Sequence, residues 1–137
     1  MMSQISPLTT SQIETLFTSI FQGPEETLLP TVEKWFNPGY VQVTDGHSST
    51  FDEFVAHLKK LRGLVKTISV KVVFLVQEDF KVADRHIVTI EKVDGSKAAL
   101  EVLLLGERDD HGRFVRVWET STIIEGDKAS GELARVR

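Results

Sequence analysis

Four strand-length runs fill the second half of this chain: Thr67 to Gln77, Val82 to Lys92, Ala98 to Glu107 and Arg113 to Ile124. The breaks between them are Glu78-Asp-Phe-Lys81, Val93-Asp-Gly-Ser96 and Asp109-Asp-His-Gly112, short and rich in the residues that make hairpin turns. Runs joined this tightly can only pair antiparallel, because a parallel connection needs a crossover of a dozen residues or more. The last run, Arg-Phe-Val-Arg-Val-Trp-Glu-Thr-Ser-Thr-Ile-Ile, has the β-branched and aromatic content of a pleated, half-buried surface and pairs with Ala98 to Glu107. A meander of this length needs cover on at least one face, and the first half of the chain has to supply it.

That half reads as helices. Ser11-Gln12-Ile13-Glu14 has capping-box spacing, and Ile13, Leu16, Phe17, Ile20 and Phe21 recur with helical period behind it. Gly23 then suits a C-terminal cap and Pro24 the first turn of a second helix. The apolar face of that helix is Leu28, Leu29, Val32, Trp35 and Phe36, and Pro30 is expected to kink or restart it. Asn37-Pro38-Gly39 breaks the pattern, Tyr40 to Asp45 alternates as a short strand, and Thr50-Phe-Asp-Glu53 is a second capping box. It opens a third helix with Phe51, Phe54, Val55, Leu58 and Leu61 on one face and Gly63 at its end. The expectation is an α+β fold, a curved antiparallel sheet wrapped as a cone around N-terminal helices.

The 137 residues suit a single domain with a core over about residues 10 to 124 and a mobile tail from Glu125 to Arg137. There is no cysteine, which removes disulfides, thiolate metal sites and thiol nucleophiles and points to a cytoplasmic home. The net charge of -4 argues against a nucleic-acid partner, and the longest apolar run, Val72 to Val76, is far too short to span a membrane. His47, His57, His86 and His111 lack metal-ligand spacing, and no phosphate loop or serine elbow occurs, so no metal and no cofactor is expected. Both faces of Val70 to Val76 and Leu100 to Leu105 are largely apolar, and a homodimer through the outer face would cover the surplus.

Phe36-x-Pro38-x-Tyr40-Val41 before the first strand, and Asp110-x-Gly112-Arg113-x-Val115-x-x-Trp118-Glu119 leading the last, resemble the nuclear transport factor 2-like superfamily, in particular its SnoaL-like and ketosteroid isomerase-like branch. The resemblance covers roughly residues 10 to 124 and implies a cone with a cystatin-like fold, often dimeric, with a pocket between the helices and the concave sheet. It implies isomerase, polyketide cyclase, epoxide hydrolase, subunit or protein-binding roles. Val43-Thr44-Asp45 resembles the segment holding the isomerases' general base, which implies a carboxylate at Asp45 on the pocket rim. The isomerases' second acid would fall near Leu103 or Leu104, and Phe17 and Phe21 stand where a tyrosine would be wanted. Arg108 and Trp118 match the SnoaL-like pattern, whereas Arg116, Val117 and Thr122 depart from it.

The residues themselves leave three functions open: a module binding a small apolar or polar-apolar ligand, an acid–base isomerase, cyclase or hydrolase, and a protein-interaction domain. The pocket-lining candidates are Phe17, Trp35, Tyr40, Asp84, Trp118 and Thr122, each of which also suits plain core or surface. Elimination of thiol, serine and metal chemistry leaves carboxylate and imidazole, so Asp45 with His86 are the catalytic candidates. Asp45-Gly46 equally suits a turn whose aspartate caps its own backbone. Asp84 and His86, two apart on one strand, share a face and make a carboxylate-oriented imidazole possible. A pocket of roughly 300 Å³ or more with polar groups inside would favour an enzyme, and a filled cone an interaction domain.

Overall fold

Six strands form one sheet in the order β2-β1-β6-β5-β4-β3 in a computed structural model that describes residues 5–125. The helices are α1 (Thr10–Phe21), α2 (Leu28–Trp35, preceded by a 3-10 turn at Glu25–Thr27) and α3 (Phe51–Leu64). The strands are β1 (Phe36–Thr44), β2 (His47–Thr50), β3 (Val65–Glu78), β4 (Lys81–Lys92), β5 (Lys97–Arg108) and β6 (Phe114–Glu125). The four-strand meander matches the expected runs to within two residues at either end. Glu125 ends β6, and the rest of the expected tail lies outside the described residues.

The sheet is mixed rather than wholly antiparallel. β1 runs parallel to β6, with Thr44 opposite Glu119 and Gln42 opposite Val117, while every other neighbour pair is antiparallel. α3 lies between β1 and the meander and lets β1 arrive in this direction. The sequence also conceals β2, four polar residues that pair back onto β1 through a tight turn at Asp45 (φ 49°) and Gly46 (φ 84°). Two consecutive positive φ values are the mark of the hairpin turn whose twist suits flanking strands.

Local chemistry moves two helix starts. α1 is capped by Thr9, whose hydroxyl accepts from Gln12 N while the Gln12 side chain accepts from Thr9 N, so the box sits two residues earlier than the Ser11 spacing implied. α2 begins late enough that Pro30 falls in its first turn, where no intrahelical donor is missed, and the expected kink is replaced by the upstream 3-10 turn. The Thr50–Glu53 box opens α3 as read, but Gly63 lies inside its last turn.

The core fills the space between the helices and one face of the sheet. Ile13, Leu16, Phe17 and Ile20 of α1 and Phe54, Leu58 and Leu61 of α3 are buried against Val82, Val88, Ile90, Leu100, Val102, Leu104 and Val117. A bulge at Val73 swaps the faces of β3, so that Val70 and Val72 point inward but Phe74 and Val76 point out. The Glu14 carboxylate accepts from Val72 N at 2.9 Å beside this irregularity and fastens α1 to the strand.

Candidate functional site

A cavity of about 80 Å³ remains inside the cone. Its apolar wall comes from α1, α3 and the sheet and includes five aromatic side chains, Phe17, Phe21, Phe36, Tyr40 and Phe54. Phe36, Tyr40 and Phe54 pack edge-on with centroids 4.6 to 5.0 Å apart. The cone is thus neither filled nor roomy, and its volume falls below the roughly 300 Å³ set for the enzyme reading.

The polar wall is built by the strand pairings. Asp84 of β4 lies opposite Leu104 of β5, which lies opposite Glu119 of β6, which lies opposite Thr44 of β1. Alternation therefore puts the two acids on the inner face, with His86 and Ser121 one step further along their strands. His86 Nδ1 is 2.6 Å from Asp84 Oδ1, both side chains being almost wholly buried, and the imidazole stacks on Phe17 with centroids 4.5 Å apart. The direct contact that spacing alone left open is made. It orients the ring of a residue that lines the cavity.

On the inner face of β1 a hydrogen-bond chain runs toward Glu119. Tyr40 Oη donates to Gln42 Oε1 at 2.8 Å, Gln42 Nε2 donates to Thr44 Oγ1 at 2.8 Å, and both Gln42 Nε2 and Thr44 Oγ1 reach Glu119 Oε1 at 3.3 Å. Glu119 keeps some exposure as a residue, but protein surrounds its carboxyl closely. Burial pushes that carboxyl up to about 7; the charge of His86 and the Thr44 hydrogen bond pull it down, and Asp45 and Asp84 push it up again. Burial likewise raises the Tyr40 phenol, aided by Glu119.

Among the residues expected to matter, Phe17 and Tyr40 line the cavity and His86 stands in its wall with Asp84 behind it. Asp45 lies at the turn after β1, where its carboxylate accepts from Ser121 N at 3.3 Å and from Ser121 Oγ at 3.5 Å. It ties the turn to β6 across the rim, a longer reach than capping its own backbone. Trp118 and Thr122 belong to the outer face, because Val117, Glu119 and Ser121 take the inward positions of β6. Trp35 packs at the margin of the core under Lys34, away from the cavity. Arg108 is buried as a clamp, donating from Nε to Gly112 O and from Nη1 to Ser6 O. Of the two positions expected near a second acid, Leu104 lines the cavity and Leu103 points outward.

Gln42 went unmarked in the sequence, and Glu119 and Thr44 stood there only inside the resemblance motifs, not as site residues. The available signal was Glu119 alternating with Val117 and Ser121, a charged residue in an inward slot. Among the described residues no cluster of three or more His, Asp and Glu side chains is arranged to hold a metal ion.

No protein-family model matches the chain. An uncharacterized protein of Schizosaccharomyces pombe is 28% identical over 111 residues, covering 81% of this chain and 85% of its own length. Among solved structures, a loop-truncation variant of IdmH, a polyketide cyclase candidate from Streptomyces antibioticus, superposes with TM-score 0.64 at 18% identity, covering 80% of this chain and 88% of that one. A nuclear transport factor 2-like protein of unknown function from Exiguobacterium sp. 255-15 does so with TM-score 0.65 at 13% identity, covering 78% and 95%. The chain has the nuclear transport factor 2-like fold. A hypothetical protein of Catenulispora acidiphila with a ketosteroid isomerase-like fold, solved in complex with trimethylamine, shares it at TM-score 0.61 and 14% identity over 81% of this chain and 85% of that one. The resemblance read from the sequence motifs thus holds at the level of the fold.

Proposed function

We propose that this nuclear transport factor 2-like chain is a single small-molecule-binding domain whose ligand lies between the helices and the concave sheet. One observation carries the reading: an aromatic-walled cavity closed on one side by Glu119 and by the Asp84-oriented His86. Apolar walls with a few convergent polar groups are the usual make-up of a ligand site. The test is a thermal-shift screen of compounds small enough for the cavity, repeated on Val102→Phe, which grows a side chain into it. Hits that raise the melting temperature of the native protein and not of the variant support the proposal. A library without hits, or equal shifts in both proteins, sinks it.

A second reading, acid–base catalysis on a small apolar substrate, is favoured by the Glu119 carboxyl at about 7. A group poised there exchanges a proton at working pH in either direction. Glu119 is under the electrostatic influence of both Asp45 and His86, so in this reading the expected pair works together with that carboxyl. In this scheme Glu119 takes or gives the proton, His86 serves as its partner acid or base, and burial, with a smaller push from Asp45 on the rim, holds Glu119 partly protonated.

The same reading includes a homodimer through the outer face of the sheet. Phe74, Val76, Leu103, Leu105 and Trp118 are exposed there, and Val76, Ala83, Leu105, Trp118 and Val43 form one row across five strands. A contiguous apolar row of this kind is what an interaction surface presents. A cytoplasmic location fits a chain without cysteine. Among the described residues no helix is long and apolar enough to cross a membrane.

A further inference from the structure

The binding reading leaves the class of ligand open, and the charge balance of the cavity narrows it. Two carboxyl groups belong to this wall: Glu119 lines the cavity and Asp84 backs His86 at 2.6 Å. Among the described residues the other titratable side chains of the lining are Tyr40 and the imidazoles of His57 and His86, with neither Lys nor Arg. Even counted as a cation, His86 balances only one of the two carboxylates, and Asp84 already holds it at 2.6 Å. Among the described residues no fixed cation stands beside the second carboxylate. A buried negative charge without a counter-ion is costly, and a cation entering the cavity would relieve that cost.

The rest of the wall is suited to such a guest. Phe17, Phe36, Tyr40 and Phe54 surround the space with aromatic rings, whose electron-rich faces attract organic cations, while their bulk excludes water from the charge. Size sets the other limit. At roughly 10–15 Å³ for each water-sized group, 80 Å³ admits about five to eight non-hydrogen atoms. Steroids and polyketides are several times larger. An anionic ligand would meet Glu119 and Asp84 as like charges in a poorly hydrated space.

Resting on the small-molecule reading, we propose that the cavity selects compact alkylammonium cations, with the ammonium group directed at Glu119 and the alkyl part against the aromatic wall.

The experiment compares three probes of similar shape, cyclopentylammonium, cyclopentanol and cyclopentanecarboxylate, by isothermal titration at about pH 8 and low salt. The ammonium is expected to bind at least about tenfold more tightly than the alcohol, with the carboxylate weakest. The double variant Asp84→Asn/Glu119→Gln, which removes both charges with little change of shape, should bring ammonium and alcohol to equal affinity. If that variant does not fold, Glu119→Gln alone should reduce the ammonium preference and leave alcohol binding in place. Alcohol or carboxylate binding as tightly as ammonium overturns the charge inference while the pocket stands. Failure of all three probes overturns the pocket as well, and an unchanged preference in a folded variant overturns the assignment to these carboxyls.

Discussion

The two faces of the meander are made from the same strands and differ in almost every respect. On the inner face of β4, β5 and β6 lie Asp84, His86, Val102, Leu104, Glu119 and Ser121, polar groups set among apolar ones and held by specific partners. On the outer face lie Leu103, Leu105 and Trp118, apolar side chains in water, with the Arg85–Glu101 ion pair beside them at 2.6 Å. Placement follows neither hydrophobicity nor charge alone. Polar groups lie inside where they have hydrogen-bond partners, and apolar ones lie outside in one row across the strands. The contrast teaches that the inner face is specified by hydrogen bonds and the outer one by area.

The contrast breaks most visibly in catalysis. If a turnover is found, Glu119→Gln should lower its rate by about 10²- to 10⁴-fold, the usual contribution of a general acid or base. Asp45→Asn should cost at least about the lower figure, while Thr120→Val, one residue away on the outer face, should leave the rate alone. Steady-state kinetics on the three variants decides it, and equal losses would show that the faces do not differ in function.

Packing supplies the next test. Leu58 is fully buried beneath the cavity, so Leu58→Ala should cost about 2–5 kcal/mol in urea denaturation, as large-to-small core changes do. Leu105→Ala, from a residue 58% exposed, should cost well under half of that.

The third test is pH. The folded Glu119 carboxyl stands at about 7, above its ordinary 4.5. The unfolded chain therefore gives up this proton first, and between about pH 4.5 and 7 the native state binds more protons than the unfolded one. Stability contributed by this group falls as pH rises through that window and levels off above it. The difference amounts to about 3 kcal/mol at most. Glu119→Gln should remove this decline, so its stability relative to the native protein should grow from pH 5 to pH 8. A constant difference would mean that the carboxyl is not held neutral by its surroundings.

The smallest effect on the monomer's own stability is expected outside. Leu105→Glu should leave the melt of a monomer nearly unchanged and shift the mass from dimer to monomer in light scattering, because a charge in the middle of an apolar interface is left unpaired. A native protein of monomeric mass at every concentration would remove the outer face from the argument and leave its apolar row without a partner.

What was legible in the sequence is local chemistry. The periodicity of Ile13 to Ile20, the Thr50–Glu53 box, the Asp45-Gly46 turn and the alternation of the four long runs each rest on contacts within a few residues, and each occurs where the residues place it. Alternation even sorted Asp84 and His86 onto one face. It did not say which face of β6 turns inward, and so Trp118 and Thr122 were assigned to the pocket and Glu119 was passed over. Only the tertiary structure decided that, by bringing β1 in parallel beside β6 so that Thr44 meets Glu119 across 75 residues of chain. The bulge at Val73 is of the same kind, since one extra residue reverses the parity of every side chain after it. The burial that carries the Glu119 carboxyl to about 7 comes from elements distant in the chain. A side chain's identity is written in its own position; its dielectric surroundings and its hydrogen-bond partners belong to whatever the fold packs against it.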